Sequence, residues 1–581
     1  MEFRTKLTLA LPLALALVGC RPSDDVAPAP QPEPAEPAAE KMTLPEPSGP
    51  HRIGVVDFEL IDSAREETFA PGEPRRIPVR AWFPARSVSG EPRQWATDEE
   101  IEHTIRDFSR LIPISEARIA SLTDVPTHSY ENAIPLDSGP VPTVIFSHGG
   151  FAFRQSNTAL MEHLASHGYL VLSITHPYLS SGVMHENGDI VPFDQGLADG
   201  MMSSAGDPEY LAAFMAEDHG LRLEAHLRNT ETFILAPHFL IWEQDYMHVI
   251  DRLETGDLPG HVQHLLPMID MNRLGTFGMS FGASGSAAAH KDNRVKAAVN
   301  IDGGVFDSDL YDVDARMPVL VFHADGSVAL PGYTMRPHSE FVYEPLISAG
   351  TRPDVIRIET AGSTHFGHTD YSLVPASVRE VDKAFDASMG TIDGQRLVQI
   401  MNDFTLHFFD HYLSGEGPGF DDAFRSEYPE VTDIDLSDLR EWAASNPEPG
   451  FMSYTHVLKM NRALAADAAS RIEAAKLDRA YTMAFELTDG PRGGTQWWLM
   501  TFDPESGVRF SMSAPTEPAD LTLSGDYTEY IRFMKRVRAG EAGEADQPVT
   551  ISGNEQLMDI VGASYAAAQS AATFKTVFPD I

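Results

Sequence analysis

The pentapeptide Gly278-Met279-Ser280-Phe281-Gly282 constrains this chain more than any other sequence feature. An apolar stretch leads into it, and mostly small residues follow it from 283 to 289. This order predicts a strand, a sharp turn with serine at its apex, and a helix that packs closely on a sheet. Glycines on both sides allow the tight backbone turn that exposes the hydroxyl. We therefore predict that Ser280 is a nucleophile, with an ordinary strand-to-helix turn as the alternative.

The region around this turn alternates apolar strands with helical stretches. Continuous apolar runs of this kind are typical of a parallel sheet that is covered on both faces. The sequence therefore predicts an α/β fold with a mostly parallel central sheet, closed by a helix that ends at Gly415. A long insertion, residues 177–262, precedes the strand of the pentapeptide and contains a predicted helix over 242–253. The predicted strands of this region are 76–84, 141–146, 169–174, 274–278, 295–301, 318–323 and 355–358.

The C-terminal part has a different pattern. Short alternating strands begin near 481, 497, 508 and 521, and Asp526 with Glu529 predicts the start of a helix. This pattern indicates a smaller, separate α+β domain. We place the first domain at 51–420, a polar and acidic junction at 421–450, and the second domain at 451–581.

Length and charge exclude some classes of function. A chain of 581 residues is too long for one core, so two or three domains are expected. The net charge of −42 repels nucleic acid and bare anionic membrane surfaces, so no nucleic-acid partner is expected. The single cysteine rules out an intrachain disulfide. Downstream of the N-terminus, no apolar stretch is long enough to span a bilayer.

The N-terminus carries the pattern of a targeting signal. A short basic start and an apolar run at 7–18 lead to Gly19-Cys20. This pattern looks like a bacterial lipoprotein signal over 1–20, with lipid attached to Cys20. A plain secretory peptide with a chance cysteine is the alternative. Arg21 mildly favours the outer membrane over retention at the inner one. Residues 21–50, rich in proline, alanine and glutamate, predict a disordered tether. We therefore expect an extracytoplasmic protein that is anchored to a membrane.

A serine hydroxyl needs a base and an acid that orients the base. His365 follows the last predicted core strand and is the candidate base. Two acids compete: Asp302 ends the strand after the nucleophile, and Asp325 ends the next one. Spacing alone cannot choose between them. His365, His368 and Asp370 have a spacing that could suggest a metal, but no further ligand set is evident, and we expect no metal and no cofactor.

Acyl transfer also needs donors for a developing oxyanion. The amide of Phe281, directly after the nucleophile, is one candidate. The other should come from the loop that follows the strand at 141–146, where His148 is followed by two glycines. His148 itself is expected to be structural.

Taken together, six motifs resemble the plasma-type platelet-activating factor acetylhydrolases across residues 51–415. This resemblance implies an α/β-hydrolase that is independent of calcium and cleaves short or oxidised acyl chains from phospholipids. It also implies that Asp302 rather than Asp325 is the acid, and that Gly150 and Phe281 supply the oxyanion donors. The family usually has a bulkier residue at the position of Gly150, which leaves the shape of the acyl pocket open. The motifs are Phe146-Ser-His-Gly149, Ala152-Phe-Arg154, Leu164-Ala-Ser-His-Gly-Tyr169, Gly278-Met-Ser-Phe-Gly282, Ile301-Asp302-Gly303 and Gly362-Ser-Thr-His365.

The C-terminal domain is similar, over a shorter stretch, to the sterol carrier protein type two fold. The similarity rests on Ala519–Leu523, the helix from Tyr527, Pro548–Gly553 and Leu557-Met558. It implies an apolar tunnel for lipid. An ordinary hydrophobic core explains the same Tyr, Met and Phe positions equally well.

The sequence therefore predicts a serine esterase whose partners are a lipid or small ester substrate and, through the lipid anchor, a membrane. A general esterase or an enzyme like dienelactone hydrolase fits the same residues. A non-catalytic lipid-binding or lipid-transfer lipoprotein is the alternative of a different class, and a peptidase fits least well.

Overall fold

The computed structural model describes residues 40–204, 206–328, 334–346, 352–417, 419–491, 493–543 and 546–581. The chain forms two compact units. Of the described residues, the first unit holds those within 40–203, 237–345 and 352–436, and the second holds those within 204–236 and 437–581 together with 346. The second unit therefore takes a segment from the long insertion as well as the C-terminal part of the chain. Cys20 and the predicted signal lie outside the described residues.

The strands are numbered in chain order. They are β1 (Arg52–Glu66), β2 (Pro74–Ser89), β3 (Ser129–Tyr130), β4 (Asn132–Pro135), β5 (Val141–Ser147), β6 (Leu170–Ile174), β7 (Val183–Met184), β8 (Ile190–Val191), β9 (Ile269–Met279), β10 (Val295–Ile301), β11 (Val319–Ala324), β12 (Val355–Thr360), β13 (Val431–Asp433), β14 (Tyr481–Thr488), β15 (Gln496–Asp503), β16 (Gly507–Ser511), β17 (Leu521–Asp526) and β18 (Val549–Gly553).

The α-helices follow the same convention. They are α1 (Asp98–Glu100), α2 (Arg106–Phe108), α3 (Glu116–Leu122), α4 (Thr158–Ser166), α5 (Gln195–Ser204), α6 (Pro208–Met215), α7 (His219–Thr232), α8 (Ala236–Thr255), α9 (Ser284–Lys291), α10 (Ala376–Val381), α11 (Lys383–Ser388), α12 (Gly394–Phe409), α13 (Asp422–Ser426), α14 (Ser437–Ala444), α15 (Tyr454–Ala466), α16 (Ala468–Ala474), α17 (Tyr527–Arg538) and α18 (Leu557–Ala571).

The first unit is built on a sheet of order β13-β12-β11-β10-β9-β5-β6-β2-β1-β3, with β4 also paired to β2. Strands β5, β6 and β9 to β12 run parallel. The pairs β6–β2, β2–β1 and β12–β13 are antiparallel. Every residue of β5 is buried, as a strand covered on both faces requires. The predicted α/β-hydrolase fold, with a mostly parallel sheet and a smaller additional domain, is confirmed.

The register of the parallel strands determines where a site can form. Ser147, the last residue of β5, pairs with Gly278, and Ile301, the last residue of β10, pairs with Met279. Three strands therefore end at one edge of the sheet, at the same height. The residues that follow them, 148–151, 280 and 302, are necessarily neighbours.

The second unit has its own sheet, of order β16-β15-β14-β17-β18. The side chain of Asp526 accepts a hydrogen bond from the Glu529 amide and begins α17, as the sequence predicts. The carboxylate of Glu224, on α7, accepts hydrogen bonds from the Tyr454 and Thr455 amides at the start of α15. This contact, between residues 230 positions apart, joins the inserted segment to the C-terminal part within this unit.

Two predicted boundaries differ from the structure. The predicted junction carries β13, which pairs with β12 and extends the main sheet. The described end of the predicted tether, 40–50, packs on the first unit: Met42 and Leu44 are buried in its core, and the Met42 amide donates to the Ser121 carbonyl. The first unit therefore begins about ten residues earlier than the composition predicts, because the two apolar side chains of this proline-rich segment pack into the core.

None of the described helices combines the length and hydrophobicity that a bilayer crossing needs.

The docked segment gives a stability prediction. Leu44→Ala should lower the free energy of unfolding by about 2–5 kcal/mol, because it removes a side chain that is only 3% exposed. Thr43→Ala, at the exposed neighbouring position, is the matched control and should change it by less than about 0.5 kcal/mol. Chemical denaturation followed by tryptophan fluorescence measures both. Equal stability of the two variants would show that residues 40–50 are not part of the core.

Candidate active site

Ser280 occupies a strained turn at the end of β9. Its φ of 56° lies in the left-handed region, which non-glycine residues rarely adopt. A Cβ atom on Gly278 would lie 2.0 Å from the Gly282 carbonyl oxygen, and one on Gly282 would lie 2.1 Å from the Ser147 carbonyl oxygen. Both glycines are thus required by close backbone contacts, and the turn is held against the end of β5.

His365 lies in the loop after β12 and contacts the serine. Its Nε2 is 2.9 Å from the Ser280 Oγ, and its Nδ1 is 2.6 Å from the Asp302 Oδ2. Because a carboxylate only accepts, the Nδ1–H of His365 donates to Asp302, and Nε2 is left to accept the serine proton. The imidazole is 40% exposed, so both solvent and a substrate can reach it.

Asp302 is the buried end of this hydrogen-bonded chain. It follows β10 with a φ of 50°, and its side chain is 7% exposed. Its Oδ1 accepts a hydrogen bond from the Ala324 amide at 2.8 Å and lies 3.1 Å from the His338 Nε2. Burial acts to raise the pKa of Asp302, but hydrogen bonds from His338 and His365 outweigh it and hold that pKa well below its ordinary value. The carboxylate therefore stays ionised in this environment.

Asp325, the competing acid, has a different set of contacts. Its Oδ2 accepts from the Gly362 amide at 2.8 Å, and its Oδ1 accepts from the Ser327 amide at 2.9 Å. The bond from Gly362 joins the loops that follow β11 and β12, and the bond from Ser327 lies within the loop after β11. The structure thus brings Asp302, and not Asp325, into hydrogen-bond contact with His365.

The loop that contains Gly150 lies beside Ser280. A Cβ atom on Gly149 would be 3.1 Å from the Ser280 Cβ. Phe151 has a φ of 58°, and its amide donates to the Leu179 carbonyl at 2.7 Å. The Gly150 and Phe281 amides therefore belong to the two backbone segments that flank Ser280.

Two sets of side chains near the site have the residue types that bind metals. In the His365, His368 and Asp370 set, for which the sequence predicts no metal, the Asp370 carboxylate accepts from the Trp95 indole at 2.9 Å and from the Ala159 amide. In a second set, Asp302, His323 and His338 offer ligand atoms within 4.8 Å of one another. Within this second set the His338 Nε2 contacts Asp302, and the His323 Nε2 also lies 2.7 Å from the Ser339 Oγ outside it. The contacts present are those of a hydrogen-bonded support for the carboxylate.

His338 is the site residue that the sequence analysis missed. It lies in the long loop between β11 and β12, with Pro337 before it and Ser339 after it. It belongs to no motif and to no periodic pattern, and only the folded loop brings it to Asp302. The only sequence signal for His338 is weak: this histidine lies between two predicted strands that end at the site.

Sequence comparisons match this chain to proteins named as platelet-activating factor acetylhydrolases or as an esterase. The family model described as platelet-activating factor acetylhydrolase, isoform II, matches residues 37–185. A probable 1-alkyl-2-acetylglycerophosphocholine esterase of Arthroderma benhamiae is 25% identical over 68% of this chain and 94% of its own length. The platelet-activating factor acetylhydrolase of Gallus gallus is 23% identical over 65% of this chain and 85% of its own. A ferulic acid esterase from Streptomyces cinnamoneus superposes with a TM-score of 0.46 and 23% identity, over 68% of this chain and all of that chain.

The curated relatives align along most of their own lengths, and they share a class of chemistry. This chain is a serine carboxylic ester hydrolase. The resemblance to platelet-activating factor acetylhydrolases is supported by both the family model and the relatives.

The close contact at Gly282 gives a prediction. Gly282→Ala should abolish esterase activity and lower the unfolding temperature, because the new methyl group would overlap the Ser147 carbonyl and force β5 away from the turn. Gly260→Ala, where the added methyl group meets open space, is the matched control and should be as active as the parent. Ester turnover and thermal unfolding measure both. An active Gly282→Ala protein would show that the turn tolerates a side chain.

Proposed function

We propose that this protein hydrolyses short or oxidised acyl esters of phospholipids, or of related lipid esters, through Ser280, His365 and Asp302. The observation that carries the proposal is the continuous chain of two hydrogen bonds from the Ser280 hydroxyl through His365 to Asp302. It joins residues from three separate loops, 63 and 85 positions apart. The resemblance to the platelet-activating factor acetylhydrolases supports the choice of substrate class.

In the proposed reaction, the Ser280 Oγ attacks the ester carbonyl while His365 Nε2 takes its proton. Asp302 keeps the imidazole oriented and stabilises the imidazolium that forms. The amides of Gly150 and Phe281 donate to the oxyanion. His365 then returns the proton to the departing alcohol, and a water molecule repeats the sequence on the acyl-enzyme to release the acid and free Ser280.

The acid assignment has a direct test. Asp302→Asn should lower kcat on the order of 10⁴-fold, because an amide at this position stabilises the wrong tautomer of His365. Asp325→Asn is the matched control, since it alters an aspartate one strand away that also accepts backbone hydrogen bonds. It should leave kcat close to the parental value.

The nucleophile is tested beside the two acids. Ser280→Ala should abolish both p-nitrophenyl acetate turnover and labelling by a fluorophosphonate. Persistent labelling at another serine would refute the proposal. A large loss in Asp325→Asn with full activity in Asp302→Asn would instead reverse the choice of acid.

The aromatic surroundings of the nucleophile favour a short acyl group. The ring of Phe281 lies 5.2 Å from that of Phe239 and 5.7 Å from that of Phe306, and the latter two are 5.8 Å apart. Three rings in mutual contact thus lie at the residue after Ser280, and we infer that they bound the space for the acyl group on that side. A general esterase or an enzyme like dienelactone hydrolase remains the alternative, because such a space would also accept simple esters.

A chain-length series separates these substrates. kcat/KM for p-nitrophenyl esters should fall by at least about tenfold between acetyl and palmitoyl, because the aromatic rings limit the room for the acyl chain. A phosphatidylcholine with an acetyl group at the sn-2 position should be hydrolysed, and one with palmitoyl there should be the poor matched substrate. A preference for palmitoyl would contradict the proposed substrate class. Turnover of simple acetyl esters with no action on either phospholipid would favour a general esterase.

Two further parts of the proposal concern lipid surfaces. Lipid on Cys20, which lies outside the described residues, would hold the enzyme at a membrane on the extracytoplasmic side. The second unit would bind lipid in the manner of sterol carrier domains. The latter rests on the resemblance of its motifs to sterol carrier domains; its described surface also exposes the apolar side chains of Ile551 (52%), Met558 (38%) and Ile560 (41%).

A further inference from the structure

A second hydrogen-bonded Ser–His–Asp chain lies beneath the loop that contains Gly150. The Ser147 Oγ is 2.7 Å from the His176 Nε2, and the His176 Nδ1 is 2.7 Å from the Asp245 Oδ2. All three residues are 0% exposed. A hydroxyl buried in this way cannot contact a substrate. The buried Ser–His–Asp chain therefore has the same hydrogen-bond connectivity as Ser280, His365 and Asp302, but an ester cannot reach it.

The protons in this buried chain have one consistent arrangement. Two guanidinium groups donate to Asp245, from Arg75 at 2.6 Å and from Arg65 at 2.8 Å. Burial acts to raise the pKa of Asp245, but the charge of Arg75 and the hydrogen bond from His176 hold that pKa well below its ordinary value. Burial lowers the pKa of His176 to about 4, so its ring is neutral. The Nδ1–H of His176 therefore donates to Asp245, and the Ser147 hydroxyl donates to Nε2.

One side of the buried chain fixes the loop at 148–151. Ser147 is the residue directly before this loop. The Ser180 Oγ lies 2.7 Å from the His176 carbonyl oxygen and 2.8 Å from the His148 Nε2. The other ring nitrogen of His148, Nδ1, donates to the Gly149 carbonyl at 2.7 Å. The segment that begins at His176 thus holds the loop from Ser147 to Gly149, next to the proposed donor Gly150.

The other side of the buried chain reaches Phe281. The His176 ring stacks on Trp242, with centroids 3.8 Å apart and an interplanar angle of 10°. Trp242 meets the Phe281 ring edge-on at 4.8 Å. Trp242 and Asp245 both lie on α8, three residues apart, so one face of this helix holds both His176 and Phe281.

We propose that Ser147, His176 and Asp245 are positioning residues that fix the spacing between the Gly150 and Phe281 amides around the oxyanion. This inference rests on the proposed function. The buried chain begins at Ser147, directly before the loop that contains Gly150, and it reaches the Phe281 segment through Trp242, which stacks on His176 and meets the Phe281 ring edge-on. Its loss should weaken the transition state more than it weakens substrate binding, because the oxyanion forms only during reaction.

The test compares two buried serines. Ser147→Ala removes the bond to His176 without leaving a buried charge, and it should lower kcat by about 10–100-fold with KM within about twofold, since a misplaced donor costs less than a deleted one. Ser121→Ala is the matched control: Ser121 is also 0% exposed and its hydroxyl donates to the Arg118 carbonyl at 2.7 Å. It should lower the unfolding temperature by a comparable amount and leave kcat unchanged.

A second readout reports on the oxyanion itself. A trifluoromethyl ketone forms a tetrahedral adduct with the serine, and its Ki should rise in Ser147→Ala by the same factor as kcat falls. Asp245→Asn is a second variant that should show the same parallel changes in kcat and Ki. Circular dichroism confirms that each variant is folded.

The outcomes separate this inference from the proposed function. If Ser147→Ala retains the parental kcat and Ki while Ser280→Ala is inactive, the buried chain is only structural and the inference fails alone. If Ser280→Ala remains active, the proposed function fails and the inference fails with it. A rise in KM with an unchanged kcat in Ser147→Ala would also overturn the inference, because it would place the defect in substrate binding.

Discussion

The parallel register of β5, β9 and β10 is the constraint on which the rest of this active site depends. Because Ser147 pairs with Gly278 and Ile301 with Met279, the three strands end level with one another. Ser280, the proposed acid Asp302 and the loop that contains Gly150 each occupy the first positions after a strand. A shift of one residue in any of these pairings would separate them by about 3.3 Å, more than a hydrogen bond tolerates. The pairing of the backbones thus determines which residues lie close together at this edge of the sheet.

Much of this arrangement could be predicted from the sequence, because its signals are local. The glycines around Ser280 specify a tight turn, and the apolar runs of β5, β10 and β11 specify buried strands. Strand order along the chain then placed His365 and two candidate acids at the same edge of the sheet. The choice between the acids needed family resemblance, because a carboxylate after one parallel strand looks the same in sequence as a carboxylate after the next.

The features that escaped prediction all depend on contacts between distant residues. His338 reaches Asp302 from a loop without periodicity, and Asp245 reaches His176 across 69 positions. Residues 40–50 have the composition of a flexible linker, yet Met42 and Leu44 find a core whose other members lie far along the chain. The segment 204–236 joins the second unit through a hydrogen bond between Glu224 and Tyr454. These residues are 230 positions apart, and no local sequence pattern predicts such a contact. Periodicity and composition indicate which side chains of a segment are buried, but they do not indicate which distant residues those side chains contact.

The three members of the proposed catalytic chain are not held equally firmly. Asp302 is buried and accepts three hydrogen bonds, and Ser280 sits in a turn wedged against β5 by Gly282. His365 instead arrives on its own loop and is 40% exposed. On warming, the imidazole should therefore be the first member to leave its place, while the strands beneath it remain paired. Heat inactivation of this enzyme would then begin as a reversible loosening of one loop, at temperatures below those that melt the sheet.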